Sequence, residues 1–146
     1  MESELRTMRT IARSFRDLDV YKMRREAALK IFQLSQSFPV EERYSLTDQI
    51  RRSSRAVNAM TAAAWARHRY RAVFTSKLDE ALEETMETQS GLDHALDCKY
   101  STTIEFATLD ANWQSIGTML NSMMNKAEAF CKFAPNADRR QPFTIH

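Results

Sequence analysis

Residues 46–71 read LTDQIRRSSRAVNAMTAAAWARHRYR. Ile50, Val57, Ala64 and Trp65 recur at the spacing of one helical face, and Thr47, Ser54 and Thr61 fill the steps between them. Beside this seam lies the densest basic surface in the chain. Arg51, Arg52 and Arg55 share a flank, because residues three and four apart are neighbours on a helix. Arg67, Arg69 and Arg71 continue the charge at the far end, with Tyr70 among them. A helix with an apolar stripe must bury it, and the cheapest cover is other helices of the same kind.

The rest of the chain agrees. Its 146 residues suit one domain, and a domain of that size buries roughly two thirds of its unfolded surface. Two glycines and three prolines leave few turns and long elements. The apolar set is rich in Ala, Leu and Met, and with Glu and Arg these are the strong helix formers. The fold class is therefore expected to be all-α.

Upstream of the stretch, Val20, Tyr21, Ala27, Ala28, Ile31, Leu34 and Phe38 keep a helical stripe that Asp17 or Asp19 can cap and Pro39 stops. Pro39–Ser45 reads as a connector whose acids, Glu41 and Glu42, favour the start of the following helix. Downstream, a break near His68–Tyr70 is needed because Phe74, Leu78, Ala81, Leu82, Thr85, Gln89, Leu92 and Leu96 follow a new phase. Gly91 inside that third helix costs up to about 1 kcal/mol relative to Ala, which points to a close crossing there. After a short turn at Lys99–Ser101, Thr102 and Glu105 have the spacing of a capping box. A fourth helix then carries Phe106, Leu109, Trp113, Ile116, Leu120, Met123, Met124, Ala127, Phe130 and Cys131. Met119, Met123 and Met124 read as core or interface.

Short connectors force neighbouring helices to run antiparallel, so an up-down-up-down four-helix bundle is expected over residues 17–134. Residues 1–16 read as an arm or short helix, with Leu5, Met8, Ile11, Ala12 and Phe15 at helical spacing. Residues 135–146 read as a tail.

Several strings resemble a known family. Phe15-Arg16-Asp17-Leu18-Asp19-Val20-Tyr21 is similar to the F-R-D-L-x-V-[YW] opening of the bacterial four-helix-bundle proteins encoded in 23S ribosomal RNA intervening sequences. Phe38-Pro39, Glu41-Glu42, Tyr44, Leu46 and Gln49-Ile50-Arg51-Arg52 match its F-P-x-E-E-x-Y-x-L-x-x-Q-I-R-R. Glu87-Thr88-Gln89 and Ile116-Gly117-x-Met119-Leu120 match shorter strings. The chain departs from the family where S-N-I-A-E-G-x-G-R is usual, since Ala63, Ala64 and Ala66 replace the acid and both glycines. Members of the family resemble the accessory variability protein of diversity-generating retroelements. The resemblance implies a ring-like homo-oligomer, expected to be a pentamer. It implies no enzyme activity, and the retroelement relatives bind nucleic acid and a reverse transcriptase through a basic surface.

The residues themselves offer little catalytic chemistry. Di-iron bundles need Glu-x-x-His pairs, but Trp65 precedes His68 by three and Gly91 precedes His94 by three, so no metal and no cofactor is expected. Cys98, one turn after His94, reads as a small buried hydrophobe rather than an activated thiol. Arg140 and His146 have the spacing of a helical RNase motif, but they lie in the tail.

Net charge is +2, unevenly placed. Residues 1–75 carry 15 Lys and Arg against 8 Asp and Glu, and residues 76–146 carry 6 against 11. The first half can attract a polyanion, or dock on the second half of a neighbour. No apolar run reaches the roughly 18 residues of a membrane span, and a charged start without an apolar segment suggests no signal peptide. A cytoplasmic location with reduced thiols is expected. The expected function is a non-enzymatic accessory factor that binds RNA or DNA through Arg51, Arg52, Arg55, Arg67, Arg69 and Arg71. The alternative is a structural or adaptor oligomer with a protein partner, its arginines used between subunits.

Overall fold

The structure, a computed structural model, describes Arg16 and residues 19–131, apart from the side chain of Phe130. The expected arm other than Arg16, the cap at Asp17, the tail after Pro135 and the Arg140–His146 pair lie outside the described residues. Among the described residues there are helices and turns and no strand, as an all-α reading requires. The helices are α1 (Asp19–Ser35), α2 (Asp48–Ala66), α3 (Arg71–Asp97), α4 (Thr103–Asn125) and a short α5 (Ala127–Cys131). Each long helix packs against its chain neighbour, and α1 also packs against α4, so the four enclose one core.

That core is the stripe of each helix. Ile31 of α1, Ile50 and Val57 of α2, Leu78 and Leu92 of α3, and Trp113, Ile116 and Leu120 of α4 are all fully or almost fully buried. Fully burying such a side chain stabilises by about 1.5–3 kcal/mol. Met123 is buried with them, and Met119 and Met124 pack at the edge. Gly91 is the close crossing that its sequence position implies. A Cβ there would stand 3.0 Å from two carbons of Ile50, which is almost wholly buried and has a stiff, branched side chain.

The helix ends follow local chemistry. The α2–α3 break falls at Arg67–Tyr70, where the change of phase requires it. At the start of α4, the Glu105 amide donates to Thr102 Oγ1 at 3.0 Å and the Thr102 amide donates to Glu105 Oε1 at 2.8 Å, which completes the capping box. At the end of α3, Lys99 takes a left-handed conformation with φ of 63°. The Tyr100 amide donates to Ala95 O at 2.8 Å and the Lys99 amide to Leu96 O at 3.0 Å, the paired bonds of a Schellman cap.

Four features differ from the sequence reading. The connector is itself wound, as a 3-10 turn over Val40–Glu42 and a π turn over Arg43–Thr47. The fourth helix is interrupted at Lys126, whose φ of −109° and ψ of 23° leave the helical region, while the apolar stripe runs on through Ala127 and conceals the break. Cys98 is exposed, since it caps α3 at the point where the chain leaves the core; Cys131 is half-buried, and both thiols are free. Arg24 is wholly buried. It sits four residues after Val20 and three before Ala27, on the apolar stripe, and its Nη1 donates to Thr61 Oγ1 at 2.6 Å.

Candidate functional site

Successive residues on a helix are about 100° apart, and the six arginines separate accordingly. Arg51 and Arg55 turn toward α1. The Arg51 guanidinium lies 4.6 Å from the Phe32 ring centroid and its Nε donates to Ser35 Oγ at 2.6 Å. The Arg55 guanidinium lies 5.5 Å from the same ring. Neither makes an ion pair among the described residues. Arg52 turns the other way, toward α3. Its Nη1 is 3.0 Å from Glu84 Oε2 and its Nη2 is 3.1 Å from Glu87 Oε1. Burial pushes Glu84 up, but hydrogen bonds from Arg52 and Glu87 outweigh it and hold the carboxyl low, while the Glu84 carboxylate pushes Glu87 up. A surface pair of this kind contributes about 0–1 kcal/mol. Arg67 is half-buried beyond the end of α2, and Arg69 and Arg71 are exposed at the α2–α3 break. The structure therefore brings Arg51 and Arg55 together, sets Arg52 on another flank, and leaves the last three at one end of the bundle.

The flank that carries Arg51 and Arg55 is concave. A groove of about 860 Å³ runs between α1 and α2. Lys22, Arg25 and Arg55 line it together with one acid, Glu26. Its apolar lining includes Met23, Leu29 and Phe32, and Leu29 is 54% exposed. Asn58 also lines it, with its Oδ1 buried and without a hydrogen-bond partner among the described residues. Lys22 and Arg25 were legible only as polar positions opposite the α1 stripe, since nothing local ties them to the α2 arginines.

Glu42 organises the other feature of this region. Its Oε1 accepts from Ser45 Oγ at 2.6 Å and from the Leu46 amide at 3.4 Å, and its Oε2 accepts from Tyr100 Oη at 2.9 Å. The Tyr100 ring also lies 5.4 Å from that of Phe38. The connector after α1 and the turn after α3 are thus joined at one end of the bundle. The bonds from Ser45 and then Tyr100 hold the Glu42 carboxyl below its ordinary value. The bond to Glu42 first, and burial next, push the Tyr100 phenol up to about 12.

This tie sets a pH dependence. The contribution of Glu42 is fully present above its ordinary 4.5 and is lost as pH falls through the lower value of the folded state. That of Tyr100 is fully present below its ordinary 10.0 and is lost as pH rises through about 12. Glu42→Gln is expected to flatten the acid limb of a plot of urea midpoint against pH, and Tyr100→Phe the alkaline limb. Limbs that keep the parent slopes would show that the tie carries no stability.

Among the described residues, no three His, Cys, Asp or Glu side chains gather as a metal ion would need. No described helix is long and apolar enough to cross a membrane.

Comparison with known proteins bears on the fold and on the motifs. Among curated proteins none matches the chain. A crystal structure from Bacteroides thetaiotaomicron, described as a protein with unknown function from the S23 ribosomal protein family, is 26% identical and superposes with a TM-score of 0.66. The match covers 72% of this chain and 97% of that one. Residues 16–122 match the family described as 23S rRNA-intervening sequence protein, a span that takes in the connector motif, the α2 arginines and all but the end of α4. On that match, the chain belongs to the 23S rRNA-intervening sequence protein family.

Proposed function

We propose that this chain is a non-enzymatic accessory factor that binds nucleic acid through the α1–α2 flank. We also propose that its helices run up-down-up-down, that it is kin to the retroelement accessory variability proteins, and that it assembles, as that kinship implies, into a ring-like homo-oligomer, a pentamer. In that setting a reverse transcriptase is the protein partner to look for, in the cytoplasm of a bacterium. One observation carries the binding proposal. Arg51 and Arg55 lie against Phe32 without a carboxylate partner among the described residues, on the same flank as Lys22 and Arg25. Guanidinium groups in that state are free to form paired hydrogen bonds to phosphate. Arg67, Arg69 and Arg71 are a second basic cluster at the end of α2.

The test is a salt series with a labelled RNA stem-loop, which carries paired and unpaired segments in one probe. Binding is expected at about 50 mM salt and a fall of a hundredfold or more by about 200 mM, because each neutralised phosphate releases counterions. The Arg51→Glu, Arg55→Glu pair is expected to weaken binding at least tenfold and to make the salt slope shallower by about 2, with the mass by light scattering unchanged. No binding at low salt would reject the proposal.

The adaptor reading keeps one specific support. Arg52 is already engaged by Glu84 and Glu87, so arginines of this helix do serve packing. If Arg51 and Arg55 serve packing between subunits, the same charge reversal reduces the mass. An unchanged mass counts against it.

A further inference from the structure

We infer that the α1–α2 groove takes an unpaired nucleotide, so that the ligand of this flank is a single strand rather than a duplex. The inference rests on the nucleic-acid reading above and narrows it. A duplex keeps its bases stacked inside and offers a basic surface little besides its phosphates. This surface is concave, and its apolar side chains lie between cationic ones. Leu29 and Met23 offer the groove a face that phosphate cannot use, whereas the π-face of a base can lie against it.

Two details point the same way. Arg55 lines the groove with its guanidinium over the Phe32 ring. A guanidinium already set on an aromatic ring is a planar platform on which a splayed base can stack. Asn58 Oδ1 is buried and unpartnered among the described residues, at the lining of the same groove. The Asn58 side chain is half-buried at that lining, and its amide oxygen, turned toward the groove, can accept an N–H from a ligand. The exocyclic amine of adenine, cytosine or guanine is such a donor, whereas phosphate at neutral pH mainly accepts. Lys22 and Arg25 stand at the same groove and are placed to hold the phosphates on either side of the bound base.

The experiment compares three labelled probes on the full chain at low salt: an unstructured adenine-rich RNA strand, the same strand paired as a duplex, and an abasic strand of equal length. The single strand is expected to bind roughly tenfold or more tightly than either of the others, in keeping with the contribution of one or two stacked bases. Leu29→Gln changes an exposed side chain without changing charge. It should weaken the intact strand several-fold and leave the abasic strand and the duplex as they were. Equal binding of all three probes would overturn the groove as a base site and leave the accessory-factor reading standing. Binding of none would overturn both. A fall in mass for Leu29→Gln with intact-strand affinity retained would place a second copy of this chain in the groove and overturn the inference.

Discussion

Changing Trp113 to Ala is expected to cost about 3–5 kcal/mol of folding free energy. Trp113 is the largest of the fully buried side chains and stands at the middle of the α4 stripe, between Leu109 and Ile116. Whole-domain stability is typically about 5–15 kcal/mol, so one such cavity removes a large share of it. Its indole Nε1 has no hydrogen-bond partner among the described residues. Trp113→Phe therefore abandons no bond and loses volume alone, at a cost of about 1–2 kcal/mol. Urea denaturation followed by circular dichroism measures both. A Phe variant as unstable as the Ala variant would show that the indole nitrogen matters in a way the packing does not explain.

Arg24→Ala is expected to cost about 2–5 kcal/mol, a value more usual for a core leucine than for an arginine. The whole side chain is buried where α1 meets α2 and α4. Nη1 donates to Thr61 Oγ1 at 2.6 Å, and Nη2 lies 3.8 Å from Met123 Sδ. Thr61 also donates to the Val57 carbonyl at 2.8 Å, so its hydroxyl keeps a partner in the variant and the main loss is the void. Arg24→Met fills most of that void without a charge to desolvate, and apolar replacement of a buried ion is often neutral or stabilising. It is expected to stay within about 1.5 kcal/mol of the parent. If Met costs as much as Ala, the guanidinium itself is needed. If Ala costs less than about 1 kcal/mol, Arg24 is not part of the core.

What the sequence made legible was local. Thr102 and Glu105 are three residues apart, and a capping box needs nothing further away. The break at Arg67–Tyr70 follows from a change of phase visible in residues 64–78. Gly91 signalled its crossing through the cost of a glycine inside a helix. What stayed hidden depends on partners far along the chain. Arg52 meets acids 32 and 35 residues away, and Tyr100 meets one 58 residues away. No periodicity reports such pairs. Arg24 is the exception, because its place on the α1 stripe was readable and only its charge argued against the core. The arginine flank was read as one surface because three-residue and four-residue spacings were considered without the turn between Arg51 and Arg52. The groove needed α1 and α2 together, so its base-stacking chemistry had no counterpart in either helix alone.

The tie from Glu42 to Tyr100 makes the two poles of the bundle unequal. At one pole, both inter-helix crossings are fastened to each other through a carboxylate, a phenol and a pair of rings. At the far end of the 19-residue α2, about 28 Å along its axis, the turn carries a Trp65–His68 ring stack and backbone bonds among its own few residues. Arg69 and Arg71 stand at that turn, away from the tied end. The chain thus carries one set of cations along two packed helices and another at a turn closed by short-range bonds, so an acidic partner meets them on different backbones.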